Sequence, residues 1–342
     1  MDRWDHSQQS MVKVVTMVAV AVTGAGTPLG RKVRGLLAEG AGTEVRELGE
    51  QPDGDLKDAM EGAEAVVHLA VGAPRSPIGA TGDVEATRRL LGAAGDASVE
   101  HLVVVSDATV YGAWPNNPVP LTERAVLRPN PGFTWATERA ELERLAGEWR
   151  DAHPGATVTI LRPVRTPGRN DWLIRALTPA PTVPELAVEP PVQFLHLDDL
   201  ASAVALARDQ RLDGAFNVAP DEVITGEEVR SLTGAPPRVR LPEKLAHRFE
   251  DWRFRSGLGP TPPELVPYTL HPWVVACDGL RAAGWRAAVS SEEAAVESHE
   301  VGPWATLSPR RRQEVALGAA GVGLAGLAAG GTWALRRWLS KD

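Results

Sequence analysis

Residues 14–23 read VVTMVAVAVT, an almost unbroken apolar and β-branched run. A strand buried on both faces of a parallel sheet carries this pattern, because neither face alternates toward water. A turn follows, TGAGTPLG at 23–30. Pro28 suits the first turn of a helix, where its missing N–H would have no partner, and Thr27 can cap that helix. Strand, tight glycine turn and helix in this order aim free N–H groups and a positive dipole end at an anion such as a pyrophosphate.

The alternation continues. Residues 44–48 suit a second strand, 55–61 a short helix and 65–70 (AVVHLA) a third strand. Residues 84–94 are amphipathic at helical spacing, and 101–106 (HLVVVS) form another buried run. A helix is predicted over 135–149 and a strand over 157–162 (TVTILR). Strands alternating with helices imply right-handed crossovers and an α/β, doubly wound parallel sheet. No internal repeat is visible. After Pro163 the chain turns Pro-rich and Trp-containing at 179–191 and 235–272, with strand–helix–strand character over 193–218 between them. The predicted organisation is an extension at 1–13 and a main domain at 14–165, completed by about 193–220. A smaller, substrate-type lobe comes from 166–192 and 221–289, and a linker from 290–312.

Residues 315–335 (VALGAAGVGLAGLAAGGTWAL) carry no charge. As a helix they would span about 30 Å, the thickness of a bilayer core. Arg310, Arg311 and Arg312 flank one end; Arg336, Arg337 and Lys341 flank the other, with Trp333 and Trp338 suited to an interface. A C-terminal transmembrane helix over 313–337 is therefore expected. It would be a single-pass tail anchor to the cell membrane with the main domain in the cytoplasm. Ala19-Val20-Ala21 mimics a signal-peptide cleavage site, but the segment before it is not clearly basic and the run ends in a glycine turn. A buried first strand explains it better.

Composition narrows the function classes. The net charge of −8 argues against a nucleic-acid partner. The single cysteine, Cys277, forms no internal disulfide, and no Cys/His cluster has zinc spacing, so no metal is expected. Cys277 reads as a small buried hydrophobe rather than a nucleophile.

Several segments occur in an order that matters. They are TGAGTPLG, GDL at 54–56, HLA at 68–70, SDATVYG at 106–112, LRP at 161–163, QFLHLDDLA at 193–201, FNV at 216–218 and AGW at 283–285. Together they resemble the extended short-chain dehydrogenase/reductase family, its NAD-dependent epimerase/dehydratase group, over residues 19–285. The resemblance implies a Rossmann-type sheet, an NAD or NADP cofactor and a sugar-nucleotide or other small-molecule ligand, with a homodimer left open. It assigns cofactor contacts to Gly24, Gly26, Thr27, Pro28, Leu29, Gly30, Asp55, Leu56, Leu69, Ala70, Arg139 and Pro163. Thr27 stands where the family's middle glycine belongs, so its Cβ is expected to weaken binding or shift the loop. The acidic residue for the ribose hydroxyls falls at about Gly49, between Glu47 and Glu50. Arg46 would suit a 2′-phosphate, so NAD versus NADP stays open.

The family's catalytic set is a Ser or Thr, a Tyr, and a Lys four residues later that holds the ribose and lowers the Tyr pKa. Matching SDATVYG and WATERAELERL to those motifs puts Asp107, Trp135 and Arg139 at the three positions. The chain has only two tyrosines, Tyr111 and Tyr268; Pro115 and Pro272 stand four residues after them, so no Y-x-x-x-K exists. An indole does not titrate near neutrality. Arg139 keeps a charge but has no phenol to tune. The expected function is an NAD(P)-binding, catalytically degenerate member serving as a membrane-anchored binding, sensor or scaffold protein. One alternative is an active epimerase, dehydratase or reductase with Asp107 as acid, Arg139 on the ribose and Tyr111 assisting. The other is an interaction protein whose glycine loop is only structural. His68 and His196 are expected to be structural or supporting.

Overall fold

The computed structural model describes residues 18–40, 42–49, 56–70, 81–169, 171–177, 182–184, 189–233, 239–257, 259, 261–297 and 311. The N-terminal extension, Asp55, Glu50 and the apolar run at 313–337 lie outside these. Among the described residues, no helix is long and apolar enough to cross a membrane.

The chain runs β1 (Val18–Thr23), α1 (Pro28–Glu39), β2 (Thr43–Leu48), α2 (Leu56–Met60), β3 (Ala63–His68), α3 (Asp83–Asp96), β4 (His101–Val105), α4 (Thr134–Ala152) and β5 (Thr157–Pro163). Next come α5 (Asp171–Ala176), β6 (Thr182–Pro184), α6 (Leu197–Asp209), β7 (Gly214–Val218), α7 (Gly226–Thr233), β8 (Val239–Leu241) and α8 (Glu243–Arg255). The short α9 (Pro267–Leu270) and α10 (Asp278–Ala282) precede α11 (Ser291–Glu297).

Six parallel strands form one Rossmann-like sheet in the order β2-β1-β3-β4-β5-β7. Alternate residues of each strand point to opposite faces. Val20, Val22, Val67, Val103 and Leu161 pack with Leu29, Val33 and Leu37 of α1 and Leu200 and Val204 of α6. Ala19, Ala21, Val66, Leu102 and Val104 meet Leu90, Leu91 and Ala94 of α3 and Leu145 and Trp149 of α4. Helices cover both faces, which is why β1 reads as a continuous apolar run. The chain places β2 on one side of β1 and β3 on the other. Ligands of open α/β sheets bind at such a switch point, outside the carboxyl ends of the strands.

β6 and β8 form a separate parallel pair. Two sequence expectations change. The segment before α6 is no sheet strand: it makes isolated bridges, Arg165 with Phe194 and Val192 with Ile224. The linker-like stretch after residue 290 begins with α11. Ser290 and Glu293 cap each other there, the Ser290 hydroxyl accepting from the Glu293 N–H (3.2 Å) and the Glu293 carboxylate from the Ser290 N–H (3.2 Å). Ala294 and Ala295 then bury against Ile174 and Val229.

Candidate functional site

The cleft lies at the carboxyl ends of β1, β3, β4 and β5. At its first end Gly24 turns the chain with φ 65°, a conformation glycine adopts without a Cβ penalty. A Cβ on Gly30 would lie 2.0 Å from the Gly24 carbonyl oxygen, so only glycine lets α1 come this close to the turn. Thr27 has an ordinary φ of −72°, and no glycine is required there. Its hydroxyl folds into the loop, donating to the Gly24 carbonyl (2.7 Å) and accepting from the Gly30 N–H (3.0 Å). The substitution therefore satisfies one helix-end donor internally. Gly26 and Pro28 are exposed beside it, and Leu29 is buried.

Across the switch point, Leu69 and Ala70 are buried, and Ala70 is held at φ 46°, uncommon for a side-chain-bearing residue. The Thr23 hydroxyl accepts from the Leu69 N–H (3.1 Å). It also meets His68 Nδ1 (2.9 Å), while His68 Nε2 meets the Thr87 hydroxyl (2.9 Å). Burial pushes the imidazole down to about 4, so His68 is neutral near pH 7 and ties β1, β3 and α3 together. His196 caps α6 by accepting from the Asp198 N–H (3.2 Å) and pairs with Glu297. Both histidines hold structure.

At the other end Trp135 and Arg139 have no exposed surface. One turn apart on α4, they stack with the guanidinium carbon 3.8 Å from the ring centroid. Arg139 pairs with Asp83, in the first turn of α3. Burial raises the Asp83 pKa, but Arg139 and then His68 outweigh it and hold the carboxyl below its ordinary value. Trp172 packs edge-on against Trp135 at 5.3 Å. Among the described residues, Trp135 Nε1, Arg139 Nε and Arg139 Nη1 meet no hydrogen-bond acceptor. Asp107, 2% exposed, accepts from the Thr109 N–H (2.9 Å) and from Arg169 Nη1 (3.1 Å). Arg169 also donates to the Ser106 carbonyl (2.7 Å), and burial lowers it to about 10.

Behind this lies a second buried network. The Glu143 carboxylate accepts from the Ser106 hydroxyl (2.6 Å) and from two nitrogens of Arg162 (2.7–3.1 Å). Arg162 donates to the Tyr111 hydroxyl (2.7 Å), which donates to Asn217 (2.7 Å). Burial pushes the Tyr111 phenol up to about 12, and the hydroxyl is committed on both sides. Tyr111 is therefore a strut between β4, β5 and β7, not the assisting group the altered-catalysis alternative gave it. Tyr268 donates to the Thr109 carbonyl (2.8 Å) and is likewise buried.

The glycine loop, Leu69, Ala70, Asp107 and Pro163 thus share one edge of the sheet, with Pro163 the last residue of β5. Leu56 opens α2. Arg46 pairs with Glu44 and donates to the Glu61 carbonyl (2.7 Å), while Glu47 pairs with Arg34. Sequence reasoning missed Asp83, Arg169, Glu143 and Arg162. Glu143 had a signal, standing four residues after Arg139 in the motif already matched.

The pyrophosphate end fits a dinucleotide, with backbone N–H groups at Gly26 and Leu29 at the start of α1, while the Thr27 N–H donates to the Gly24 carbonyl (3.0 Å). The far end is filled by the chain's own side chains. Residues 30–171 match a family described as NAD(P)H-binding. The matched stretch contains Asp83, Asp107, Trp135, Arg139 and Arg169 and, of the glycine loop, only Gly30.

No curated protein matches the chain. Solved structures similar to it include MoeE5 in complex with UDP-glucuronic acid and NAD. That match has 20% identity and TM-score 0.61, covering 82% of this chain and 98% of that one. A UDP-N-acetylglucosamine 4-epimerase from Methanobrevibacter ruminantium M1 in complex with UDP-N-acetylmuramic acid has 17% identity and TM-score 0.58, covering 83% and 97%. A short-chain dehydrogenase/reductase superfamily protein from Agrobacterium tumefaciens with bound NAD has 21% identity and TM-score 0.58, covering 88% and 99%. At these identities the likeness is one of fold.

Proposed function

We propose that this protein binds NAD or NADP through the glycine loop and does not run Tyr/Lys chemistry. It would serve as a binding, sensor or scaffold protein, tethered to a membrane by residues 313–337. One observation carries the reading. Arg139, where the family has its ribose-holding Lys, is stacked on Trp135 and ion-paired with buried Asp83. No phenol stands beside it, and Asp107 is held by Arg169.

A nucleotide-sugar-like second ligand is supported by charge. Arg165 is 8% exposed, and among the described residues no carboxylate pairs with it. It lies against Phe194 and Trp273, with burial lowering it to about 10. A buried guanidinium without an acid partner is a ready counter-charge for a diphosphate.

The test is thermal melting with NAD⁺, NADH, NADP⁺ and NADPH, followed by turnover assays with UDP-hexoses and UDP-hexuronates. A ligand at 100 times its Kd stabilises by about 2.7 kcal/mol, so a rise in Tm with one pair and no turnover is the expected result. Turnover that Asp107→Ala abolishes would establish the altered acid/base set instead. No shift with any dinucleotide would favour an interaction protein with a purely structural glycine loop.

A further inference from the structure

α8 carries an apolar stripe that the fold leaves uncovered. Leu245, Phe249 and Trp252 are 52%, 39% and 54% exposed. Their spacing of four and three residues puts them within an arc of about 60° on the helix. The rings of Phe249 and Trp252 touch, with centroids 5.6 Å apart. The helix packs on the β6–β8 pair.

Charge on α8 is sorted around this stripe. Lys244, Arg248 and Arg255 stand about 70° to 110° from its centre on one flank, and the half-buried Arg253 stands about 70° away on the other. Asp251 stands about 130° away. Lys244, Arg248 and Arg255 are exposed, and Arg255 also pairs with Asp251 (2.9 Å). Cations therefore border the apolar stripe in a chain whose net charge is −8. A helix lying in a lipid interface has this arrangement: Trp, Phe and Leu enter the acyl boundary while long basic side chains reach anionic headgroups. The uncharged run at 315–335 would hold the domain beside a bilayer.

We infer that α8 docks flat on an anionic membrane surface through Leu245, Phe249 and Trp252, with the flanking Lys and Arg residues on lipid phosphates. The inference rests in part on the tail-anchor reading above, and its test separates the two. Full-length protein would be mixed with phosphatidylcholine vesicles, with and without phosphatidylglycerol, and floated. Hydrogen exchange would be followed over 243–255. Exchange there is expected to slow about tenfold on the phosphatidylglycerol vesicles relative to phosphatidylcholine alone. A triple variant, Leu245→Ser/Phe249→Ser/Trp252→Ser, should lose that slowing, keep its Tm and still float through its tail. Equal exchange on both vesicles, with the protein afloat, overturns the docking and leaves the anchor standing. Flotation only with phosphatidylglycerol, lost in the triple variant, supports the docking and removes the anchor. No flotation at all overturns both. Slowing without lipid that grows with protein concentration shows a second copy covering the stripe, and the docking fails.

Discussion

At the glycine-loop end of the cleft, Gly26 and Pro28 face outward and the groups suited to a ligand are backbone N–H groups. At the far end, Trp135, Arg139 and Asp107 are turned inward, each committed to a neighbour. The first end depends on glycine geometry, which tolerates almost no side-chain change. The second is held by ion pairs and stacking, so it depends on side chains where the first depends on backbone.

Arg139→Met should test that contrast most severely. It takes the guanidinium away from the buried Asp83 carboxylate, a change that costs about 3–5 kcal/mol. Adding Asp83→Leu should recover much of the loss in urea unfolding. A neutral single variant would show that the pair does not hold the closed end.

Next comes acid. His68 is held near pKa 4 in the fold, against 6.5 for the free side chain, so its charged form is disfavoured when folded. Its contribution is complete above pH 6.5 and is lost as pH falls toward 4, by about 3 kcal/mol. Stability measured by urea across that range should drop, and His68→Gln should flatten the slope.

Gly30→Ala is expected to cost about 1–3 kcal/mol, because the new methyl meets the Gly24 carbonyl. It should also abolish any rise in Tm with a dinucleotide. The smallest effect is Thr27→Gly. It removes a cap for only a few tenths of a kcal/mol. Freeing the Gly30 N–H should tighten dinucleotide binding by calorimetry; unchanged or weaker binding would mean the Thr27 hydroxyl does not compete with the ligand.

The sheet was legible because both its faces are buried, which leaves near-continuous apolar runs such as HLVVV in β4. The turn at Gly24–Gly30 was legible through Pro28 and the glycines. The departures at Asp107, Trp135 and Arg139 could be read from motif spacing, but their partners could not. Asp83 lies 56 residues from Arg139, and Arg169 lies 62 from Asp107. Only the fold brings those charges together. α11 was missed for the opposite reason: its capping box is local, but the Ser- and Glu-rich run around it read as a solvated linker.

The stacked and paired Arg139 also shapes what sequences can succeed this one. Reverting Trp135 to Tyr removes the surface under the guanidinium, and reverting Arg139 to Lys gives up the planar stack beside Asp83. Either step alone disturbs packing that the other still relies on, while Asp107 remains bound to Arg169. Placing a Tyr/Lys pair at positions 135 and 139 therefore needs several coordinated substitutions.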